Sequence, residues 1–568
     1  MFVLTLVVGA AGGVAAEGFQ RLIDLVRVRL LLPALAQPPG LRAVLVILLL
    51  AGTGLVVGIL LDYEVPFARG SGIPEVKTSY VIAPGPQVSA RTVIGKFLLG
   101  ALSIGSGFSL GREGPIVQIC AGIGAATGRA ARQSPRFVKN LISVGAAAGI
   151  AAAFNTPIAA VTFALEEIVG DLNQRLLGSI VVAAVAASVV ERAIRGNTPI
   201  FSVPAYALAR WWELVFYALL GGLAGLGATL FVKSLLALRR FVWRWKGIRI
   251  SWLKPAIGGA LVAGIGLAFP RVFGIGYDTL NDGLLGRLTF DTMVTLCVMK
   301  LLATVLSYGW GVSGGLFSPT LFMGGMLGGA LGYMVQRLIP GSTHAVGSFA
   351  LVGMSAFFAA AIRTPITAIL IIFEMTGDYA IILPLMISST ISYSIASALQ
   401  VTPIYDAMLE QDGIYLGEHR LRPTLRQVTV DEVMTTRVVT ATSKEPAGIV
   451  AERLQQAGLR LMPIVDEEGR MTGIVTADRL RDVTGADQRP ISDLASDDVV
   501  TVSADQTLDL ALFKLGRYGI GVAPVVEHGE PERVIGILSL RDIANGLARL
   551  RGSADDAHQN LPTEASPD

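Results

Sequence analysis

The chain has 568 residues, of which 52% are hydrophobic and 16% charged, and a formal net charge of +3. Soluble domains carry roughly 25% charged residues, so the shortfall places much of the chain in lipid, and so small a net charge offers no footprint for a nucleic-acid polymer. The sequence shows no metal-ligand cluster and no nucleophile–base pair that would suggest an enzyme; Cys120 and Cys297, both in apolar stretches, read as packing residues rather than a disulfide.

Charged residues are sparse from about Ser89 to Gln400 and return at ordinary density after about Glu410, which divides the chain into a membrane part and a soluble part. The opening run MFVLTLVVGAAGGVAAEGF lacks the basic region of a signal peptide and reads as the start of a first membrane helix. Spanning helices are predicted over Leu41–Leu61, Trp211–Leu236, Lys254–Phe269 and Ala380–Leu399. Ile104–Gly128 and Gly309–Gly332 are also apolar but are broken by glycine and proline. Broken backbone at membrane depth leaves N–H and C=O groups without partners in lipid, so it must be buried in protein or line a wet cavity. Two such segments at corresponding places in two halves point to a transport site between the halves.

The correspondence holds residue by residue. GSGFSLGREGP (Gly105–Pro115) aligns with GWGVSGGLFSP (Gly309–Pro319), pairing Ser109 with Ser313 and Pro115 with Pro319. Val144–Glu167 aligns with Val352–Met375; both contain AAA and then TPI, and Glu166 meets Glu374. Apolar composition produces chance matches of alanine and glycine, but not prolines, a serine and a glutamate in register, so the chain contains an internal duplication. Gly124 and Gly128 suit helix packing, where small residues let backbones approach. GREGP and GGLFSP crowd glycine and proline beside charged or bulky residues and read as helix starts.

The soluble part repeats as well. Stretches beginning at Val438 and Val499 share a Val-Val-Thr strand, an amphipathic helix, a proline-bearing strand and a strand opening with Gly-Ile; Pro463 pairs with Pro524 and Gly473 with Gly536. This alternation argues for an α/β unit used twice. The tail 552–568, rich in Ser, Asp and Pro, is expected to be disordered.

GSGIPEV at Gly70–Val76, GREGP at Gly111–Pro115, GGLFSP at Gly314–Pro319 and TPIYDAML around Tyr405 resemble, in order, the signature elements of the CLC chloride channel and transporter family. The soluble repeats are similar to CBS domains. The resemblance implies an all-α polytopic membrane domain over 1–409, with two inverted structural repeats (about 1–195 and 205–409) and broken helices. A linker at 410–429 then leads to an α/β tandem CBS pair at 430–485 and 491–548. It further implies a homodimer with one pathway per subunit, in the cell's inner membrane with the CBS pair cytosolic.

The physical logic of such motifs is that chloride crossing a bilayer needs donors that do not trap it. Helix N-termini supply unpaired N–H groups and the favourable dipole end, and hydroxyls add neutral donors. The resemblance makes Ser71 and Tyr405 hydroxyl donors to a central chloride, together with the backbone amides of Leu316 and Phe317. Gly111, Arg112 and Gly114 belong to the adjoining chloride-binding segment, Arg112 through its field rather than by direct contact. Without the family context, Ser71 reads as a helix N-cap before Pro74 and Tyr405 as an interfacial aromatic. Family members that prefer nitrate or fluoride depart from serine at the Ser71 position, so serine favours chloride.

Glu113 is an ionisable residue in a glycine- and proline-framed helix start, and an acid at that depth is a functional hypothesis by default. Its carboxylate competes with chloride for the same amides and releases them on protonation, which makes it a proton-linked gate. Glu167 falls on the position of the family's internal proton-transfer glutamate; the other reading is an acid closing a helix at the membrane boundary. Glu166 reads as structural, because Glu374 repeats it. Lys96, Lys300 and Arg363 either hold positive potential near the pathway or mark interfaces.

In the CBS pair, GILSLRD with Ser539 and Asp542 fits a segment that meets the phosphate and ribose of an adenine nucleotide, whereas GIVTADR brings Asp478 one residue early. At most one nucleotide site is implied, the alternative being a purely structural dimerisation module. No other cofactor and no metal is expected. The expected function is chloride transport, with chloride/proton exchange favoured and a passive chloride channel as the alternative. A cation pathway would need paired acids or carbonyls, where these motifs offer helix N-termini.

Overall fold

The computed structural model describes residues 2–82, 84–170, 174–196, 201, 212–245, 250–339, 345–414, 428–481, 483–496, 499–518, 520–527 and 530–546. The chain divides into two compact units, Met1–Leu416 and Gly417–Asp568. The tail 552–568 and residues 415–427 of the expected linker lie outside the described residues.

The first unit is helical. Its first half runs α1 (Phe2–Val26), α2 (Pro39–Tyr63), α3 (Ile73–Val81), α4 (Ala90–Ser106), α5 (Glu113–Ala130), α6 (Pro135–Phe154), α7 (Pro157–Phe163, continued by a π turn Ala164–Val169) and α8 (Gln174–Arg195). The second half follows the same plan with α9 (Glu213–Arg244), α10 (Lys254–Ala268), α11 (Tyr277–Leu284), α12 (Phe290–Gly309), α13 (Phe317–Leu338), α14 (Ala345–Ile362), α15 (Pro365–Thr376) and α16 (Ile382–Leu399). A final α17 (Ile404–Gln411) closes the unit. Asp412, just beyond it, pairs with Arg239 of α9 at 2.6 Å, so the first unit continues through residues expected to open the linker.

Eight helices among the described residues are long and apolar enough to cross a membrane. Others are not: α3 has nine residues, about 14 Å at 1.5 Å per residue, less than half of a bilayer core of about 30 Å. GREGP and GGLFSP do start helices, as expected: α5 begins at Glu113 and α13 at Phe317.

The two halves are inverted repeats that interlock. Gly111 and Gly315 occupy equivalent positions and exchange both backbone hydrogen bonds, at 2.8 and 2.7 Å, which puts the pseudo-twofold axis between them. Lys96, fully buried, donates to the carbonyls of Ala68 (3.1 Å) and Gly70 (2.6 Å), and its counterpart Lys300 donates to those of Val272 (3.0 Å) and Gly274 (2.6 Å). Each buried lysine thus braces the loop before a short helix. Close packing repeats too. A side chain at Gly124 would stand 2.1 Å from the Leu141 carbonyl oxygen, and one at Gly328 2.0 Å from that of Phe349; only glycine permits α5 on α6, and α13 on α14, to approach so closely.

The second unit holds two sheets of identical topology. In the first, β1 (Ala441–Thr442) runs parallel to β2 (Leu461–Val465), which pairs antiparallel with β3 (Met471–Thr476). In the second, β4 (Val502–Ser503), β5 (Val522–Glu527) and β6 (Glu530–Ser539) repeat the order. Helices α18 (Ala447–Gln456) and α19 (Leu508–Tyr518) cross between the first two strands of each. Val450, Leu454, Met462 and Val475 fill one core, and Leu508, Leu515, Val525 and Leu538 the other.

Candidate functional site

Ser71 lies in the loop that leads into α3, between two glycines in the left-handed region, Gly70 at φ 69° and Gly72 at φ 96°. The loop is pinned to the other repeat: Gly70 N donates to Val312 O at 3.1 Å, and Gly314 N donates to Gly70 O at 2.9 Å. Ser71 does not cap α3, whose N-cap is Gly72 without a side-chain bond. Its hydroxyl is fully buried, and so is the hydroxyl of Tyr405. Both hydroxyls are thus held away from bulk water as neutral polar groups. The start of α5 approaches closely because Gly114 lacks a side chain; a Cβ there would lie 2.5 Å from Ser71 Oγ and 3.2 Å from Gly315 Cα.

Leu316 and Phe317 open α13 and are fully buried. The first N–H groups of a helix have no intrahelical acceptor. The Phe317 ring is held edge-on by Phe163 at 5.2 Å and Phe358 at 4.7 Å between centroids. This fixes the helix start that faces Ser71 through Gly314 and Gly315.

The Glu113 side chain is fully buried. Its carboxylate folds back to the first turn of α13, where Ser318 Oγ lies 2.7 and 2.6 Å from its two oxygens. The Tyr277 hydroxyl donates to Oε1 at 2.6 Å. A side chain at Gly111 would stand 2.6 Å from Glu113 Oε2 and 3.0 Å from the Ser318 backbone nitrogen, so the glycine leaves that corner open for the carboxylate. The Glu113 carboxyl group therefore lies at a helix N-terminus inside the membrane unit, the kind of place an anion binds. Arg112 points elsewhere. It donates to Gln20 and to the Ala153 carbonyl, and its Nε stays 3.8 Å from Glu113 Oε1.

Glu167 lies in the π turn after α7 and is 4% exposed. Lys77 of α3 reaches its carboxylate at 3.1 Å and Asp406 of α17 at 2.6 Å, with side-chain exposure rising from 5% at Glu167 to 15% and then 24%. Glu166 faces away. Its carboxylate accepts from the N–H groups of Ile366 (3.2 Å) and Thr367 (2.8 Å) at the start of α15, while Glu374 accepts from Ile158 (3.0 Å) and Ala159 (2.7 Å) at the start of α7. The two acids cap one another's helices across the repeats. Arg363, at φ 72°, turns back on its own half, bonding the Ala360 carbonyl at 3.2 Å.

Tyr277, Ser318, Lys77 and Asp406 were not singled out from the sequence. Tyr277 follows Gly-Ile-Gly at 274–276, the counterpart of Gly-Ser-Gly at 70–72, and Asp406 adjoins Tyr405; extending the repeat alignment upstream finds the tyrosine.

In the second unit Asp542 binds Ser539, accepting from its N–H at 2.8 Å and its hydroxyl at 2.6 Å, and accepts from Thr435 at 3.2 Å. This reciprocal pair has the form of a capping box. Asp478 instead pairs with Arg481 on the surface at 3.1 Å. Among the described residues, no group of three or more His, Cys, Asp or Glu could hold a metal ion. Both cysteines are free, Cys120 buried.

Comparison with known proteins follows the same division. The family described as "Voltage gated chloride channel" matches residues 53–397, and the CBS domain matches 430–484 and 491–549. The chain is 34% identical over 426 residues to an H(+)/Cl(-) exchange transporter ClcA of Vibrio cholerae, covering 72% of this chain and 88% of that one. It is 33% identical over 363 residues to a putative chloride channel protein ClcB-like of Ralstonia nicotianae, covering 63% and 84%. Its fold matches a slow cyanobacterial Cl-/H+ antiporter at 29% identity and a TM-score of 0.67, over 72% of this chain and 97% of that chain. A eukaryotic CLC transporter shares the fold over 95% of this chain and 97% of its own, with a TM-score of 0.67 at 18% identity. The chain is a multi-pass membrane protein of the voltage-gated chloride channel (CLC) family, with tandem CBS domains.

Proposed function

We propose that the protein exchanges chloride for protons across the membrane. The observation that carries this reading is the Glu113 carboxylate lodged at the first turn of α13, a titratable anion in a seat built for an anion. The buried hydroxyls of Ser71 and Tyr405 and the amides of Leu316 and Phe317 supply neutral donors for a desolvated chloride. Gly111 and Gly114 let the backbone close around the ion, and Arg112 adds field without contact. Protonation neutralises Glu113 and frees its seat. Glu167, next to Lys77 and the more exposed Asp406, exchanges protons with water on the cytosolic side. The names of the Vibrio and cyanobacterial relatives support exchange.

The organisation we propose is a transport domain that runs past the expected boundary at 409 through Asp412, a linker that ends at 429, and CBS domains over 430–485 and 491–548. The protein forms a homodimer in the inner membrane with the CBS pair in the cytosol. Ser539 and Asp542 are the residues through which the pair would meet an adenine nucleotide.

The test is flux from reconstituted liposomes recorded with chloride and pH electrodes together. A chloride gradient should drive protons uphill in wild type. Glu113→Ala should abolish the proton movement and leave passive chloride flux, because a methyl neither carries a proton nor competes with chloride. Chloride flux with no proton movement in wild type would make the protein a channel.

A further inference from the structure

The pseudo-twofold relation maps the loop Gly70–Ile73, which presents Ser71, onto Gly274–Tyr277 in the second repeat. The two loops are built alike. Both carry glycines in the left-handed region, Gly70 and Gly72 in one and Gly274 (φ 60°) and Gly276 (φ 89°) in the other. Both are braced by a buried lysine on their carbonyls and bonded to the opposite repeat, here by Gly274 N donating to Gly107 O at 3.2 Å. The first loop sets a hydroxyl beside the proposed chloride seat. The second sets the hydroxyl of Tyr277 on Glu113 at 2.6 Å, with Ser318 Oγ 3.1 Å from the phenol oxygen. A contact of 2.6 Å is well within O–H···O hydrogen-bond range.

Tyr277 also separates the acid from water. A cavity of about 570 Å³ is lined by Tyr277 and Arg112, whereas Glu113 is fully buried behind them. The ring is fixed on two sides, edge-on to Phe201 at 5.3 Å and 5.9 Å from the Arg112 guanidinium. The Arg112 Nε stands 3.8 Å from Glu113 Oε1, and Lys300 lies behind Gly276. The cavity wall adds Asp24, Arg27, Arg195, Arg271 and Asp278.

We propose that Tyr277 is the positioning residue that latches Glu113 into the anion seat, so that the gate opens only when this hydroxyl lets go. The proposal rests on Glu113 being the gate. It is tested with the full chain in liposomes, comparing wild type, Tyr277→Phe, Glu113→Ala and the double variant. Losing one hydrogen bond to a charged group should raise chloride flux at neutral pH about tenfold or more and carry fewer protons per chloride. The external pH of half-maximal flux should move up, because a donor that favours the ionised acid has gone. In the Glu113→Ala background the same substitution should leave flux unchanged. Tyr277→Leu is the reserve variant, with the same expectation, should the phenylalanine fail to fold. The latch is overturned if Tyr277→Phe matches wild type in flux and coupling, or if it changes flux equally without Glu113, since the tyrosine would then be only a wall of the cavity. If wild type moves chloride but no protons, exchange fails as a reading, yet the dependence of the flux change on Glu113 still decides the latch.

Discussion

Gly114→Ala probes the proposed chloride seat without removing any functional group. Its Cβ would stand 2.5 Å from Ser71 Oγ and 2.7 Å from the Ser71 carbonyl oxygen. Contacts between non-bonded atoms are optimal near 3.5–4.0 Å, so Ser71 would have to retreat by about 1 Å. Its loop has little room to give. Gly70 is bonded to Val312, Gly314 and Lys96, and Ser71 N donates to the Tyr308 hydroxyl at 3.2 Å. Overpacking of this kind costs about 1–3 kcal/mol. The displaced hydroxyl also loses a hydrogen bond to an ion, worth about 1.5–3 kcal/mol. At 1.4 kcal/mol per decade the chloride Kd should rise about 10- to 150-fold. Isothermal titration of the solubilised protein with chloride measures it. Gly124→Ala is the control, because its Cβ would stand 2.1 Å from the Leu141 carbonyl oxygen, in a helix contact away from Ser71. It should lower the melting temperature and leave the chloride Kd alone. Should Gly114→Ala also lower the melting temperature with its Kd within about twofold of wild type, Ser71 is not a chloride ligand.

Glu167→Gln should suppress proton movement while chloride movement persists, whereas Glu166→Gln should keep the coupling and lose about 1 kcal/mol of stability as a weakened helix cap; unchanged coupling in Glu167→Gln would mean that protons enter elsewhere. Ser71→Pro removes the hydroxyl and should shift selectivity from chloride toward nitrate, and Tyr405→Ala should weaken central binding; competition fluxes and calorimetry that match wild type in both would remove these residues from the site. ATP or AMP at millimolar concentration should raise the melting temperature by mass action, and Asp542→Ala should abolish the rise; no rise in wild type leaves the CBS pair a structural module.

Much of this molecule is legible in one dimension because its constraints are local. Lipid demands apolar runs, and the predicted spans at Leu41–Leu61 and Lys254–Phe269 fall within a residue or two of α2 and α10. Gene duplication leaves register, so Ser109 with Ser313 and Glu166 with Glu374 announce two halves. An acid framed by glycine and proline in an apolar region is conspicuous whatever it touches, which is why Glu113 stands out. What Glu113 touches is decided by tertiary structure. Tyr277 and Ser318 lie 164 and 205 residues away and meet it only because the inverted repeats bring the starts of α5, α11 and α13 together about one axis. An aromatic after a glycine carries no local sign of that meeting. The same holds for Lys77, which the fold sets between Glu167 and Asp406. Periodicity and composition report what each segment needs from its surroundings; which group supplies it depends on contacts between distant segments, and those exist only once the two halves have closed on each other.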